Sequence, residues 1–585
     1  MNVLVVMPQE IYVGEFNYNF PLGPAYISAV LKQAGHDVTC LNMYHRKGNE
    51  HQELTAIARS KRIDVVALGA MSPAYPNIRK IIGIARKVFP SAIIVLGGQL
   101  VTATPEATMI GLAPDYGVVG EGETTMVELL AALESGAEPR EVPGLAILDS
   151  ATGKVFLTPM RHSEENLDDL PMPDYEGFEF DRALDMMAPV PSYFGSTYFD
   201  EPRMAYVLGS RSCPFKCSFC YHPAGRKYAQ RSLPSLLEEI DYLIGKYRIN
   251  YIYMLDDLFV TPSNMERVYE FCDAMKERGM KWFCQIMLQS VTRELLQKMK
   301  DCGCIMIGAG IENVSAKILR SMRKPVTLEQ INSVLAMAWD VELDVFANLL
   351  FGDPEETWDT FFETYQWWLA NRKYGLGLSL LYYLPDSEIY RRAKQKGVIK
   401  DDLTYLREYA SKGIGACMIN GTDMPDAEFT QMAKLVEECK NVSSYNCGPI
   451  SEIRLLRVDE YDRERYFVRT RCPHCAGENE YGGLAMSYHS GRAANDLGPA
   501  FVWLKCRQCT RTYSIRNFVA SHRFSEVAEM GDRLTTAPYL FAKLADQLFS
   551  PMRKTSRLFA AKNVRIAKWK RKIVNFVLNL PQKSR

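Results

Sequence analysis

The sequence predicts an α/β protein with a doubly wound parallel sheet at its N-terminus, a partial (β/α)6 barrel in its middle, and a C-terminal helical region holding a small cysteine-bearing module. Three observations predict it. Short β-branched runs alternate with helical stretches of 10–15 residues over the first two thirds of the chain. Glycine-rich points fall where those runs end, and seven of the 15 cysteines lie in two closely spaced sets. At 585 residues the chain is long enough for several domains of roughly 100–200 residues each. Hydrophobic residues at 47% with 24% charged exclude a disordered or collagen-like chain.

The elements follow in order. Residues 2–7 form an apolar, β-branched run with no basic segment before it, so the start reads as a strand rather than a secretion signal. A helix over 24–34 ends at Gly35, and a strand over 36–41 follows. A polar helix at 51–61, a strand at 64–68, a helix at 77–88 and a strand at 92–96 complete a Rossmann-like domain over residues 1–140. Ligands of such sheets lie at the carboxyl ends of the strands. Gly69-Ala-Met-Ser72, Gly97-Gly98-Gln99 and Gly120-Glu121-Gly122-Glu123 all fall there. Residues 141–200 read as a hairpin followed by a Pro- and Asp-rich linker. Strands over 206–208, 251–255, 282–287, 306–310, 345–350 and 378–381 make six βα units within 201–400, fewer than a full barrel requires. A helical extension over 401–450, the cysteine-bearing module over 451–520 and a helical basic tail over 521–585 complete the chain.

No apolar run approaches the roughly 18–20 residues that cross a bilayer. The chain is therefore expected in the cytoplasm, where disulfides are rare and cysteines serve as metal ligands or small core hydrophobes. The strongest chemical signal is Arg211-Ser-Cys213-Pro-Phe-Lys-Cys217-Ser-Phe219-Cys220, directly after the first barrel strand. Three thiolates in one loop can hold three irons of a [4Fe-4S] cluster and leave the fourth iron open.

Cys213, Cys217 and Cys220, with aromatic Phe219 before the last, resemble the CxxxCxxC signature of the radical S-adenosylmethionine enzymes. The resemblance implies that the open iron chelates S-adenosylmethionine, whose reductive cleavage yields a 5′-deoxyadenosyl radical. It also implies an electron donor such as flavodoxin or ferredoxin. Leu255-Asp256-Asp257, Gly308-Ala-Gly-Ile-Glu312-Asn313 and Leu349-Leu-Phe-Gly352-Asp-Pro-Glu355-Glu-Thr357 follow in the family's order, and make Phe219, Asp256 and Glu312 the expected S-adenosylmethionine contacts. Gln285-Ile286-Met287 departs from the polar or basic residue that many relatives carry there.

The first domain resembles the cobalamin (B12)-binding domain fused to many such enzymes, through Pro21-Leu-Gly23-Pro-Ala-Tyr26, Gly97-Gly98-Gln99 with Thr102, and Gly120-Glu121-Gly122-Glu123. Ser72, Gly97, Gly98, Gln99, Gly120, Glu121 and Gly122 are the expected cobalamin contacts. The loop after Met7 has no histidine, and His45-Arg-Lys-Gly48 follows the second strand, so cobalamin is expected without a protein imidazole below the cobalt. His36, His45 and His51 are expected at the surface. The pairing implies methylation of an unactivated carbon in a small metabolite, glycan precursor or lipid. Cobalamin-dependent cyclisation or rearrangement, and a non-catalytic cobalamin-sensing scaffold, are the alternatives. A methylthiotransferase needs a second cysteine triad in the first domain, where residues 1–200 hold only Cys40.

Cys472-Pro-His-Cys475 and Cys506-Arg-Gln-Cys509, 30 residues apart, read as a zinc ribbon. The balanced charge, 69 Lys+Arg against 69 Asp+Glu, is a cancellation: residues 551–585 hold 11 basic and no acidic residues, so the preceding 550 carry −11 (58 basic, 69 acidic). Apolar residues in that tail recur at helical spacing, which predicts either peripheral contact with an anionic membrane or docking on the protein's own acidic surface. No module that reads nucleic-acid bases is present in the sequence.

Overall fold

The computed structural model describes residues 1–8, 20–46, 49–149, 151–161, 166–187, 199, 202–221, 227–409, 419–442, 447–458, 464–485 and 501–516. The expected basic tail at 521–585, with its amphipathic segment 551–585, lies outside them.

Strands β1 (Asn2–Met7), β2 (Asp37–Asn42), β3 (Val65–Gly69), β4 (Ile93–Gly97) and β5 (Tyr116–Val118) are parallel, and β6 (Leu145–Leu148) and β7 (Val155–Leu157) add an antiparallel hairpin. The strand order is β2-β1-β3-β4-β5-β6-β7. The unbroken apolar runs follow from burial on both faces, as expected where helices cover a parallel sheet on each side. Along β1, Val3 and Val5 enter one core with the helix Leu22–Gln33, while Leu4 and Val6 enter another with the helix Tyr75–Val88.

In the second part, β8 (Met204–Val207) is followed by a short antiparallel pair, β9 (Ser210–Arg211) and β10 (Ala229–Gln230). Strands β11 (Tyr251–Met254), β12 (Lys281–Ile286), β13 (Cys304–Ala309) and β14 (Asp344–Phe346) join β8 in a parallel sheet of order β14-β13-β12-β11-β8. A further parallel pair, β15 (Asn348–Phe351) and β16 (Gly377–Leu380), stands beside it. The single strand expected over 345–350 is thus divided at Ala347, because its first half pairs with β13 and its second with β16. A parallel bridge between Glu312 and Leu349 carries the pairing across the gap. The intervening helices begin at designed stops: Ser232 and Thr292 cap Leu233–Tyr247 and Arg293–Asp301, and Thr327 forms a capping box for Leu328–Asp340.

Residues 141–200 are more than the expected linker. Their hairpin edges the first sheet, and Tyr175, Phe178 and Phe180 are buried in a core that continues into the second. Phe20 stacks on Tyr175 at 5.3 Å between ring centroids, and Phe180 meets Tyr247 edge-on at 4.9 Å. The Tyr175 hydroxyl donates to Glu239 at 2.5 Å, and Glu239, fully buried, also pairs with Arg231. Aromatic packing around a satisfied charge turns the connection into a wedge between the two sheets.

The expected helical extension contains helices Asp402–Thr404 and Asp426–Val442, with a π-helical turn at Tyr405–Tyr409. Beyond it, β17 (Ile450–Val458), β18 (Glu464–Arg471) and β19 (Glu478–Ala485) form an antiparallel sheet, and β20 (Phe501–Lys505) pairs with β21 (Thr512–Arg516). This module docks at the amino ends of β13 and β14. The buried Lys505 ammonium donates to the Ile305 carbonyl at 2.7 Å and pairs with Asp344 at 3.0 Å, while the Thr512 hydroxyl donates to Asp344. Arg511 lies 3.8 Å from the centroid of the Trp339 ring. Among the described residues no helix is long and apolar enough to cross a membrane.

Glu239→Ala strips the buried Arg231 of its carboxylate and Tyr175 of its acceptor. It is expected to cost about 3–5 kcal/mol, read as a lower midpoint in denaturant unfolding, with Glu239→Gln costing less because it keeps an acceptor for the Tyr175 hydroxyl.

Candidate functional site

The cysteine loop begins where β8 ends, and Asp256 sets its entry. Asp256 accepts from the Gly209 N–H at 3.0 Å and from the Ser210 hydroxyl, and burial raises its pKa to about 6 against the lowering effect of those two bonds. Only 2% of Asp256 is exposed. A carboxylate so enclosed and committed orders the loop from behind. Farther along, Ser218 is held from two sides. Its N–H and hydroxyl donate to the carbonyls of Met322 and Ser321, both at 3.0 Å, and its carbonyl accepts from the Ile389 N–H at 3.1 Å.

Cys213, Cys217 and Cys220 lie close enough for charge on one thiol to disfavour ionisation of the others. Burial is the larger cause: it raises Cys217 and pushes Cys220 up to about 12. Three thiols carried on one loop are the donor type that a cubane cluster with one open iron requires. Phe219 packs against the second core. Glu312, in the left-handed region at φ 62°, donates its N–H to the Asn348 carbonyl and accepts from the Leu350 N–H, so its position is set by the bridge to β15. Its carboxylate pairs with Lys324 at 3.0 Å.

In the first domain the expected residues converge on the carboxyl edge. The Gln99 side-chain oxygen accepts from both the N–H and the hydroxyl of Ser72 at 2.8 Å, while its Nε2 is buried without a hydrogen-bond partner. The Thr102 hydroxyl accepts from the Gly120 N–H at 3.0 Å. Gly98, at φ 84°, needs to be glycine: a Cβ there would lie 2.8 Å from the Ala70 carbonyl oxygen. An edge with close backbone approach and an orphaned amide donor fits a large flat ligand with an amide-bearing periphery.

The two edges meet. Arg211, two residues before Cys213, pairs with Glu121 at 3.0 Å and Glu123 at 2.5 Å, and lies 5.4 Å from the centroid of the Tyr26 ring. Each of the three charged side chains is at most 13% exposed. Burial works against the guanidinium's charge, but Glu123 and Glu121 hold it firmly protonated.

His45, expected at the surface, is instead 2% exposed. It lies between Asn42 and Glu179 at 3.3 and 3.4 Å, and burial lowers its pKa to about 4 despite Glu179. The segment carrying Glu179 covers it, a contact separated by 134 residues that local sequence does not reveal. His36 is half-buried and His51 exposed.

The second cysteine set converges. The sulfurs of Cys472, Cys475, Cys506 and Cys509 lie within 4.8 Å of one another, with Cys472–Cys509 at 3.8 Å and Cys475–Cys506 at 3.6 Å. Burial opposes ionisation of Cys506, but N–H bonds from Cys509, Gln508 and Asn479 bring it down to about 7. Four sulfurs so placed, one already biased toward thiolate, can close a tetrahedral metal site. The remaining described core cysteines, Cys272, Cys284, Cys302 and Cys304, are buried as expected of small hydrophobes.

Residues 15–130 match the B12 binding domain family and residues 207–367 the radical SAM superfamily. An uncharacterised methyltransferase of Pyrococcus horikoshii is 29% identical over 58% of this chain and 70% of its own length. Cytidylyl-2-hydroxyethylphosphonate methyltransferase of Streptomyces wedmorensis is 24% identical over 57% and 69%, and the anaerobic magnesium-protoporphyrin IX monomethyl ester cyclase of Cereibacter sphaeroides 28% over 59% and 56%. The solved radical S-adenosylmethionine methyltransferase TsrM of Kitasatospora setae shares the fold, with a TM-score of 0.56, 19% identity and coverage of 68% of this chain and 77% of its own. With both domain types present, in the same order as their motifs and with their ligand edges in contact, the chain is a B12-binding-domain radical S-adenosylmethionine enzyme.

Proposed function

We propose that the protein is a cobalamin-dependent methyltransferase that places a methyl group on an unactivated carbon of a small metabolite, glycan precursor or lipid. The observation that carries this reading is the Arg211 junction: the carboxyl edges of the two sheets abut, so a substrate held between them reaches both. Two relatives named as methyltransferases support it.

In this reading Cys213, Cys217 and Cys220 hold a [4Fe-4S] cluster, Phe219 and Glu312 contact S-adenosylmethionine, and Ser72, Gly97, Gly98, Gln99, Gly120, Glu121 and Gly122 cradle cobalamin. When bound, these groups supply hydrogen-atom abstraction and a methyl donor. The chain's residues do the rest. Asp256 and Ser218 hold the cysteine loop rigid, Glu312 offers its carboxylate as an acceptor for ribose hydroxyls, and Arg211 keeps the two edges in register. The strands of 201–400 act as an incomplete (β/α)6 barrel following the cobalamin domain of 1–140, and Cys472, Cys475, Cys506 and Cys509 hold zinc as a structural ribbon. A flavodoxin- or ferredoxin-class protein supplies the electron, and the basic segment 551–585 rests on an anionic membrane surface. The cyclase relative supports a second reading, ring formation without methyl transfer.

Anaerobically reconstituted protein is expected to bind about four irons at the first motif and to release 5′-deoxyadenosine, with Cys217→Ala abolishing release. Undiminished cleavage in that variant overturns the reading. A product heavier by one methylene unit selects methylation, and an unchanged carbon count selects cyclisation. Because burial keeps Cys217 and Cys220 protonated, cluster loading releases protons. Loading at limiting iron should therefore rise between about pH 7 and 9, by up to about tenfold per unit for each proton released, followed by absorbance of the cluster.

Arg211→Ala removes the cation that Glu121 and Glu123 share at the junction. Methylated product is expected to fall about tenfold or more relative to 5′-deoxyadenosine, as cleavage and methyl transfer uncouple. For the second cysteine set, elemental analysis should find one zinc per chain, lost in Cys475→Ser while cluster iron remains.

A further inference from the structure

Against the cysteine loop lies a buried cation that neither motif nor spacing marks. Lys324 follows the helix Ala316–Ser321 and pairs with Glu312 at 3.0 Å, with 7% of its side chain and 14% of that of Glu312 exposed. The turn that carries it is bonded to the loop through Ser321 and Met322, which hold Ser218 between Cys217 and Cys220. The neighbouring Arg323 pairs with Glu388 at 2.5 Å, and Ile389 donates to the Ser218 carbonyl, so turn, loop and the helix Glu388–Gln395 form one junction. Gly310 makes the room: a Cβ there would overlap both the Lys324 ammonium and the Glu312 carboxylate. The charges of Lys324 and Glu312 both reach Cys217 and Cys220, with opposite sign. A buried ammonium is costly unless negative charge surrounds it. Glu312 balances it once, and the thiolates of a loaded site do so again.

We propose that Lys324 is a positioning residue of the radical centre: a buried ammonium that fixes the Glu312 carboxylate and, beside Cys217 and Cys220, favours the reduced form of the cluster those thiolates carry. It rests on the reading that Cys213, Cys217 and Cys220 hold that cluster. The step concerned adds one electron to the cluster, with no proton and no bond made or broken. The electron comes from a flavodoxin- or ferredoxin-class donor, and from dithionite in the test. Adding negative charge beside a fixed positive one costs less, and beside a fixed negative one costs more.

The test compares anaerobically reconstituted full-length protein with Lys324→Met, Lys324→Arg and Glu312→Gln, reading iron and sulfide content and the midpoint of an EPR-monitored dithionite titration. With iron content equal to wild type, Lys324→Met should lower the reduced-to-oxidised ratio at fixed potential about tenfold, a shift of about 59 mV for one electron, and Glu312→Gln should raise it. Lys324→Arg should sit near wild type. Full iron with an unmoved midpoint in Lys324→Met overturns the proposal, as do shifts of one sign in both charge variants. Should Lys324→Met fail to hold iron, Glu312→Gln carries the test, and a midpoint that stays or falls overturns it. A wild-type protein that takes up no iron would instead overturn the cluster reading beneath.

Discussion

A single guanidinium sets the working geometry. Arg211 stands two residues before the first cysteine of the radical motif, yet its partners Glu121 and Glu123 belong to the glycine-rich edge of the other domain. Parallel sheets collect ligands at their carboxyl ends. Two such sheets can share one substrate only if those ends face each other, and a rigid fork with two carboxylates, backed by the Tyr26 ring, holds them so.

The same device recurs at three other junctions among the described residues. Glu239 joins Arg231 to Tyr175 of the wedge, Lys324 joins Glu312 beside the cysteine loop, and Lys505 joins the second cysteine module to Asp344 and the Ile305 carbonyl. Buried pairs of this kind return little net stability after desolvation, but losing one partner is expensive. Each pair links separate segments at a defined point. Aromatic packing around Tyr175 and Phe180 adds apolar contact between the parts.

The two cysteine sets occupy opposite ends of the second sheet. The radical motif follows the carboxyl end of β8, while the four-sulfur module grips the amino ends of β13 and β14. In βα architectures the first end hosts chemistry and the second stability. The module's docking through a buried lysine and through Trp339 fits a part that braces the sheet and stays clear of the reaction.

Sequence by itself determined what depends on neighbours along the chain. The thiol triad, the two CxxC pairs, the alternation of strands and helices and the glycines at strand ends are local patterns, and the folded chain keeps the alternation and gathers the two CxxC pairs. Only the tertiary structure decided what depends on contacts across the chain. It turned the presumed linker into a wedge, split residues 345–350 between two strand partners, sealed His45 beneath Glu179, and committed Asp256 to Gly209 and Ser210. It also brought Lys324 to Glu312, a pairing no spacing rule announces. The physical reason is common to all: burial and charge compensation are properties of an environment assembled from distant segments, whereas ligand type and periodicity are written in the segment itself.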